Sequence, residues 1–425
     1  MKFLHAADLH LDSPLRGLAR YEGAPLEQIR GATRQAFNKL IELAIEEQVD
    51  FVLLAGDLYD GDWKDYNTGL YFINCMGKLK QAGISVYMVS GNHDASSQLS
   101  KSLRLPENTH LFNARKAETM LIESLQVALH GQSFLKGKIT TDLSLKYPQA
   151  KPDYFNIGLL HTSLNGREGH DTYAPCTLEG LKQKHYQYWA LGHVHQREVL
   201  SEDPWIIFPG NLQGRHIRES DEQGKGCTLV EVEQQQIIKV EHKPLDVLRW
   251  FSCTLDVSEY HSVDAILDAT EQRLLDKQAA HPQHFLAIRL ILQGQSPVHH
   301  ELQAQIDYWQ QEFRALANVL GNLWLEKIQI KTTAVINQEQ ALQAEDSIGE
   351  LLRYLHLNEI EEIEDKENLQ QWVSEILQTL PLPEEYLQGE EYFNLKNNEQ
   401  WHDLQQSAKA HLFQLLIQST DERQS

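Results

Sequence analysis

Five short apolar runs in the first 200 residues each hand over, at their carboxyl end, to a carboxylate, an amide or an imidazole. The runs lie at residues 2–6, 51–55, 86–89, 155–160 and 188–191. They lead into Asp8-Leu9-His10, Gly56-Asp57-Leu58-Tyr59-Asp60, Gly91-Asn92-His93-Asp94, His161-Thr162 and Gly192-His193-Val194-His195. Short apolar, β-rich runs of this kind predict strands. Between the first two, Phe37, Leu40, Ile41 and Ala44 recur at helical spacing and predict a helix over residues 33–47. Strand alternating with helix is the pattern of a layered α/β domain. A further strand at 206–208 and a hairpin over 226–240, turning near 234–236, complete it.

In such domains ligands collect outside the carboxyl ends of the strands. Residues two apart in extended chain point the same way, so Asp8 and His10 can share an ion, as can His193 and His195. The glycines before Asp57, Asn92 and His193 let the chain turn off the strand and approach a ligand. Singly, each motif is an ordinary turn. Five in succession describe a metal site. Mixed Asp, His and Asn donors without thiolate suit Mn²⁺ best, with Fe²⁺, Zn²⁺ and Mg²⁺ open and Ca²⁺ disfavoured.

Composition limits the rest. Cys75, Cys176, Cys227 and Cys253 stand far apart, which argues against a disulfide framework or a thiolate zinc site and fits a reducing cytoplasm. The opening MKFLHAADLHLDS has no apolar run of signal-peptide length, and no stretch is long enough to cross a bilayer, so no membrane role is expected. The net charge is −22, but residues 1–250 carry only −4 of it, residues 251–335 another −4, and residues 336–425 the remaining −14. The acidity of the whole therefore says little about a substrate met by the first 250 residues.

Past Pro244 the pattern changes to strand 250–257, helix 262–278, strand 285–292, helix 297–316 and strand 323–332, a β-α-β-β-α-β-like unit lacking one strand. From about residue 340 the chain is acidic and helical. Leu351, Leu352 and Leu355 line one predicted helix, and Trp401, Leu404, Ala408, Leu412, Leu415 and Leu416 another.

The five motifs resemble the signature DxH…GDxxD…GNHD/E…H…GHxH of the calcineurin-like metallophosphoesterase superfamily. The stretch Asp8–Leu15, DLHLDSPL, and the early GDLYD resemble the SbcD-type DNA repair nucleases, with the bacterial YhaO-like exonuclease group the nearest suggested relatives. The unit after Pro244 resembles the capping domain of those enzymes. The resemblance implies a four-layer α/β/β/α sandwich over residues 1–245, a small α+β capping domain over 246–335, and a helical C-terminal region over 336–425.

It also implies roles. One divalent metal would be held by Asp8, His10 and His195, the other by Asn92, His161 and His193, with Asp57 bridging a pair about 3.5–4 Å apart. His93 would protonate or stabilise the leaving 3′ oxygen, oriented by Asp94. Asp60 and Asp12 are candidates for supporting the ligands, or else solvated turn residues. In the loop Pro209–Arg218, Arg215 and Arg218 would meet the phosphate backbone, or else form a solvated hairpin paired to Glu219. The expected reaction is phosphodiester hydrolysis at DNA ends, exonucleolytic or endonucleolytic. An SMC-like coiled-coil ATPase would dock on residues 340–425, and pairing into a homodimer is open. Two rivals remain: a small-molecule phosphodiesterase or phosphatase, and a non-catalytic subunit that tethers DNA ends.

Overall fold

A computed structural model describes residues 1–13, 23–60, 67–96, 104–164 and 173–335, together with Ser407 and Leu412. The expected acidic helices beyond residue 336 otherwise lie outside the described residues. The chain divides into two compact units. The larger comprises Met1–Leu255, Ile266–Leu292 and Ile306–Ile330, and the smaller Asp256–Ala265, Gln293–Gln305 and Lys331–Ser425.

Two six-stranded sheets build the larger unit. The first runs in the order β12 (Gln236–Pro244), β11 (Gly226–Glu233), β1 (Lys2–Ala6), β2 (Phe51–Ala55), β3 (Ser85–Val89) and β4 (Thr109–Leu111). The second runs β5 (Glu118–Ile122), β6 (Val127–Gly131), β7 (Phe155–His161), β8 (Tyr188–Gly192), β10 (Trp205–Phe208) and β9 (Glu198–Glu202). Strands β1, β2 and β3 are parallel neighbours, as are β7 and β8, so the ends carrying the five motifs line up.

Alternation along these strands sorts their side chains into layers. Leu4, Val52, Leu54 and Val86 pack beneath α1 (Leu26–Glu46) and α2 (Asn67–Gln81) through Phe37, Leu40, Ile41, Phe72 and Leu79. Phe3, Phe51 and Leu53 face the other way, against Leu129, Ile157 and Tyr188 of the second sheet. The far side of that sheet is covered by α4 (Leu178–Lys182) and its loops, through Leu181, Tyr186 and Tyr147 against Trp189 and Leu160. Helix, sheet, sheet and helix are thus the four layers. Gly158 is required between the last two, because a Cβ there would stand 2.3 Å from the Trp189 ring.

Beyond Pro244 a three-stranded sheet follows, of β13 (Leu248–Asp256), β14 (Phe285–Ser296) and β15 (Leu323–Ala334) in that order. Leu248, Trp250, Ala287 and Trp324 pack with Ile29 and Ala32 of α1 within the larger unit. In the smaller unit, Val257 N donates to Gln293 O at 2.8 Å, and His299 Nδ1 meets Thr332 Oγ1 at 2.9 Å.

Two sequence expectations are corrected. Helix α1 begins at Leu26 rather than residue 33, because Ile29 and Ala32 extend its buried face. The helix expected over 297–316 breaks at Gln305, whose φ of −129° leaves the helical range, into α6 (His299–Ala304) and α7 (Ile306–Leu320). The three strands expected after Pro244 are those of the β13-β14-β15 sheet. Among the described residues up to 335, the other α-helices are α3 (Asn92–Ser96) and α5 (Val263–Ala280).

Candidate metal centre

The strand ends leave their sheets by left-handed turns. Asp8, His10, Asp57 and His193 have φ of 52°, 43°, 51° and 103°, a region that non-glycine residues enter only at a cost of about 1–3 kcal/mol each. Asp and His tolerate it better than most. The turns are tied together, since Asp8 N donates to Gly56 O and His10 N to Asp57 O, both at 3.0 Å. Glycine is needed where the loops close up. A Cβ on Gly91 would lie 2.2 Å from Asp57 Oδ1, and one on Gly192 would lie 1.9 Å from Ala55 O.

These turns bring the predicted ligands into two groups. The donor atoms of Asp8, His10 and His195 lie within 4.8 Å of one another, as do those of Asp57, His161 and His193. Asn92 joins the second group, its Oδ1 3.0 Å from His161 Nε2, and Asp57 Oδ2 stands 3.4 Å from the same nitrogen.

Which ring nitrogens are bare follows from the other ends of the rings. His161 Nδ1 donates to the Ala55 carbonyl at 2.9 Å, which leaves Nε2 as an acceptor facing the Asn92 carbonyl oxygen. His195 Nδ1 donates to Glu219 Oε1 at 2.7 Å, which leaves its Nε2 bare, 3.1 Å from His10 Nε2. Acceptors facing each other at such distances need a proton or a cation between them. His10 Nδ1 is itself buried without a hydrogen-bond partner among the described residues.

The charges point the same way. Burial pushes the Asp8 carboxyl up to about 6, against the pull of His161 and His195. Burial works to raise Asp57 too, but His161, His10 and His93 hold it well below the usual carboxylate range. Burial works to lower His161, yet Asp57 and then Asp8 carry it to about 9. Burial, then Arg215, presses His10 down to about 3. Two buried carboxylates thus draw positive charge inward, and divalent cations on oxygen and imidazole donors fit that demand.

Around the donors stand residues that the sequence placed less well. His93 is half-exposed, and its Nδ1 is 3.0 Å from Asp60 Oδ1, a contact that raises the imidazole above its ordinary pKa. The carboxylate at His93 Nδ1 is Asp60, whereas Asp94 is engaged by backbone amides. The buried Asp94 carboxylate accepts from Gly91 N, Leu58 N and Tyr59 N at 2.9, 3.2 and 3.0 Å, tying two motif loops together. Asp60 also lies 3.7 Å from His10 Nδ1 and accepts from Ser13 Oγ at 2.6 Å. It is therefore no solvated turn residue. Asp12 is turned aside into an ion pair with Arg34, whose Nε donates to it at 2.6 Å.

The two arginines separate. Arg215 is largely buried, its guanidinium between Asp60 Oδ2 at 3.3 Å and Glu219 Oε1 at 3.2 Å. Arg218 is exposed on the short turn Ile217–Glu219. Glu219 entered the sequence reading only as a surface partner, whereas in the structure it is buried against His195. Lys225 was passed over altogether, and its Nζ donates to His195 O at 2.9 Å. Neither carries a motif signal, because each acts from a different loop.

Comparison with known proteins agrees with this geometry. The calcineurin-like phosphoesterase profile matches residues 1–197, and that of the middle domain of the metallophosphoesterase YhaO matches residues 250–333. The uncharacterized metallophosphoesterase YhaO of Bacillus subtilis is 36% identical over 302 residues, covering 70% of this chain and 72% of that one. The DNA double-strand break repair protein Mre11 of Sulfurisphaera tokodaii is 24% identical over 303 residues, 69% of this chain and 74% of its own. Its namesake in Methanopyrus kandleri is 27% identical over 268 residues, 57% and 56% of the two chains. A family that hydrolyses phosphoesters at two divalent metals accounts for both donor groups and for the turns that assemble them, and this chain belongs to it: the calcineurin-like metallophosphoesterases, in their YhaO-like branch.

Proposed function

We propose that the protein hydrolyses phosphodiester bonds at DNA ends during repair. The observation that carries the reading is the His93 imidazole, half-exposed beside both donor groups and anchored from behind by Asp60. Asp8, His10 and His195 would hold one cation, Asn92, His161 and His193 the other, and Asp57 would serve both. Bound divalent ions, Mn²⁺ by preference, supply charge stabilisation and a water of lowered pKa. His93, its Nδ1 held by Asp60, would give a proton from its other nitrogen to the leaving 3′ oxygen. Asp94 keeps the His93 loop in place through the backbone. Arg215 and the exposed Arg218 meet backbone phosphates, which gives affinity without reading sequence.

DNA is favoured over a smaller diester because two of the relatives carry the name of a double-strand break repair protein. We assign residues 1–245 to the catalytic domain, 246–335 to a capping domain, and the acidic residues 340–425 to docking on an SMC-like ATPase. Among the described residues no helix is long and apolar enough to cross a membrane. All four cysteines are free and buried, which supports the cytoplasm as its compartment.

The test uses metal-stripped protein, end-labelled linear duplex DNA, and Mn²⁺, Mg²⁺ or Zn²⁺ added back, with His93→Ala as control. Mn²⁺-dependent shortening by wild type alone is expected. Turnover of a small aryl phosphodiester without DNA cleavage would move the substrate elsewhere. Two metals bound by a protein inert towards both would count for the tethering role instead.

A further inference from the structure

Glu219 is the most heavily engaged carboxylate near the site, and it belongs to none of the five motifs. Its Oε1 accepts from His195 Nδ1 at 2.7 Å and from the Arg215 guanidinium at 3.2 Å, and lies 3.4 Å from His216 Nε2. Its Oε2 accepts from Arg215 N at 2.7 Å and Asn211 Nδ2 at 2.8 Å. A carboxylate on the far nitrogen of a ligand imidazole fixes both its tautomer and its direction. The His195 backbone is held as well, its carbonyl accepting from Asn211 N at 3.1 Å and Lys225 Nζ at 2.9 Å.

The loop that carries Glu219 is stitched on its other side to β13 and the residue before it. The Gln213 side chain donates to Leu248 O at 2.7 Å and accepts from Val247 N at 2.9 Å. Trp250 Nε1 donates to Gly214 O at 3.0 Å, and Ser220 Oγ donates to Trp250 O at 2.6 Å. A displacement of this strand would therefore move Asn211, Arg215 and Glu219 together.

We propose that Glu219 is a positioning residue that sets the His195 ligand and the Arg215 guanidinium as one piece, and that its loop transmits the placement of β13 to the metal group of Asp8, His10 and His195. The proposal rests on the metal-centre reading above. Because Glu219 and Lys225 both hold His195, the cation site of Asp8, His10 and His195 is the one expected to respond.

The test is a calorimetric Mn²⁺ titration of the metal-stripped full chain, beside urea unfolding of the same metal-free samples. Wild type should show two sites. Glu219→Ala should weaken one by about 10–100-fold and leave the other within about twofold. Glu219→Gln, which retains an acceptor for His195 Nδ1, should recover a large part of the loss. Gln213→Ala, remote from every ligand, should weaken the same site by a smaller factor. Unchanged affinities in Glu219→Ala would overturn the proposal. So would equal weakening of both sites together with a lowered metal-free urea midpoint that Glu219→Gln fails to restore, since that pattern marks a purely structural role. Wild type that takes up no divalent cation would instead remove the metal-centre reading, and this inference with it.

Discussion

One carboxylate, Asp60, serves an imidazole on each side of the site: its Oδ1 lies 3.0 Å from His93 Nδ1 and 3.7 Å from His10 Nδ1. If that contact aims the His93 proton, Asp60→Asn should lower kcat by about 10²-fold, the lower end of what general acid catalysis contributes. KM should change little, because the contact lies behind the reacting face. Steady-state kinetics on end-labelled duplex decide it, and an unchanged kcat would leave His93 without need of Asp60.

Metal binding should appear as stability. Asp8 and Asp57 are buried close to the bare nitrogens of His10, His195 and His161, so cations that bind only the folded chain add about 2.7 kcal/mol at a hundredfold excess over Kd. A thermal melt of stripped protein should rise by several degrees when Mn²⁺ is added. In Asp57→Asn most of that rise should vanish. An equal rise in the variant would show that the ions bind elsewhere.

Gly192→Ala should damage fold and site together. The new Cβ would stand 1.9 Å from Ala55 O, the carbonyl to which His161 Nδ1 donates. Overpacking of this kind costs about 1–3 kcal/mol. The urea midpoint of the metal-free protein should fall, and a wild-type midpoint would mean that the two strand ends separate without cost.

His5 predicts an acid sensitivity away from the metals. It accepts from the Tyr188 hydroxyl at 2.9 Å and donates to Leu191 O at 3.0 Å, and burial pushes its pKa down to about 3. Unfolded, the ring returns to about 6.5, so between these values the unfolded chain binds the extra proton. The contribution of neutral His5 is complete above pH about 6.5 and is lost as the pH falls toward 3. From pH 8 to pH 5 that amounts to about 2 kcal/mol. In His5→Asn the change in unfolding free energy over that interval should be smaller by this amount, as chemical denaturation at the two pH values would reveal.

Much of the catalytic layer could be read from residues near one another in the chain. A run such as Phe51–Ala55 is apolar at every position because both of its faces are covered, and the residues that follow it are the first free to be polar. Burial and strand geometry act over a few residues, so the strands, their order of use and the donor types at their ends are legible locally. The edge strand β5 and its neighbour β6 were not, because Glu118–Ile122 alternates weakly and His130 interrupts the apolar run of the other.

What supports the donors was decided only by the tertiary structure. Asp94 follows His93 directly in sequence, yet the loops of β2 and β3 meet so that Asp60 reaches that ring and Asp94 reaches backbone amides. Glu219 and Lys225 serve His195 from 24 and 30 residues away, across loops whose meeting depends on the packing of both sheets and β13. The sequence by itself determined which atoms could bind a cation, since that is the chemistry of the side chains and the period of the strands. Which carboxylate sits behind each imidazole depended on where distant turns come to rest, and that is set by the packed core rather than by any local pattern.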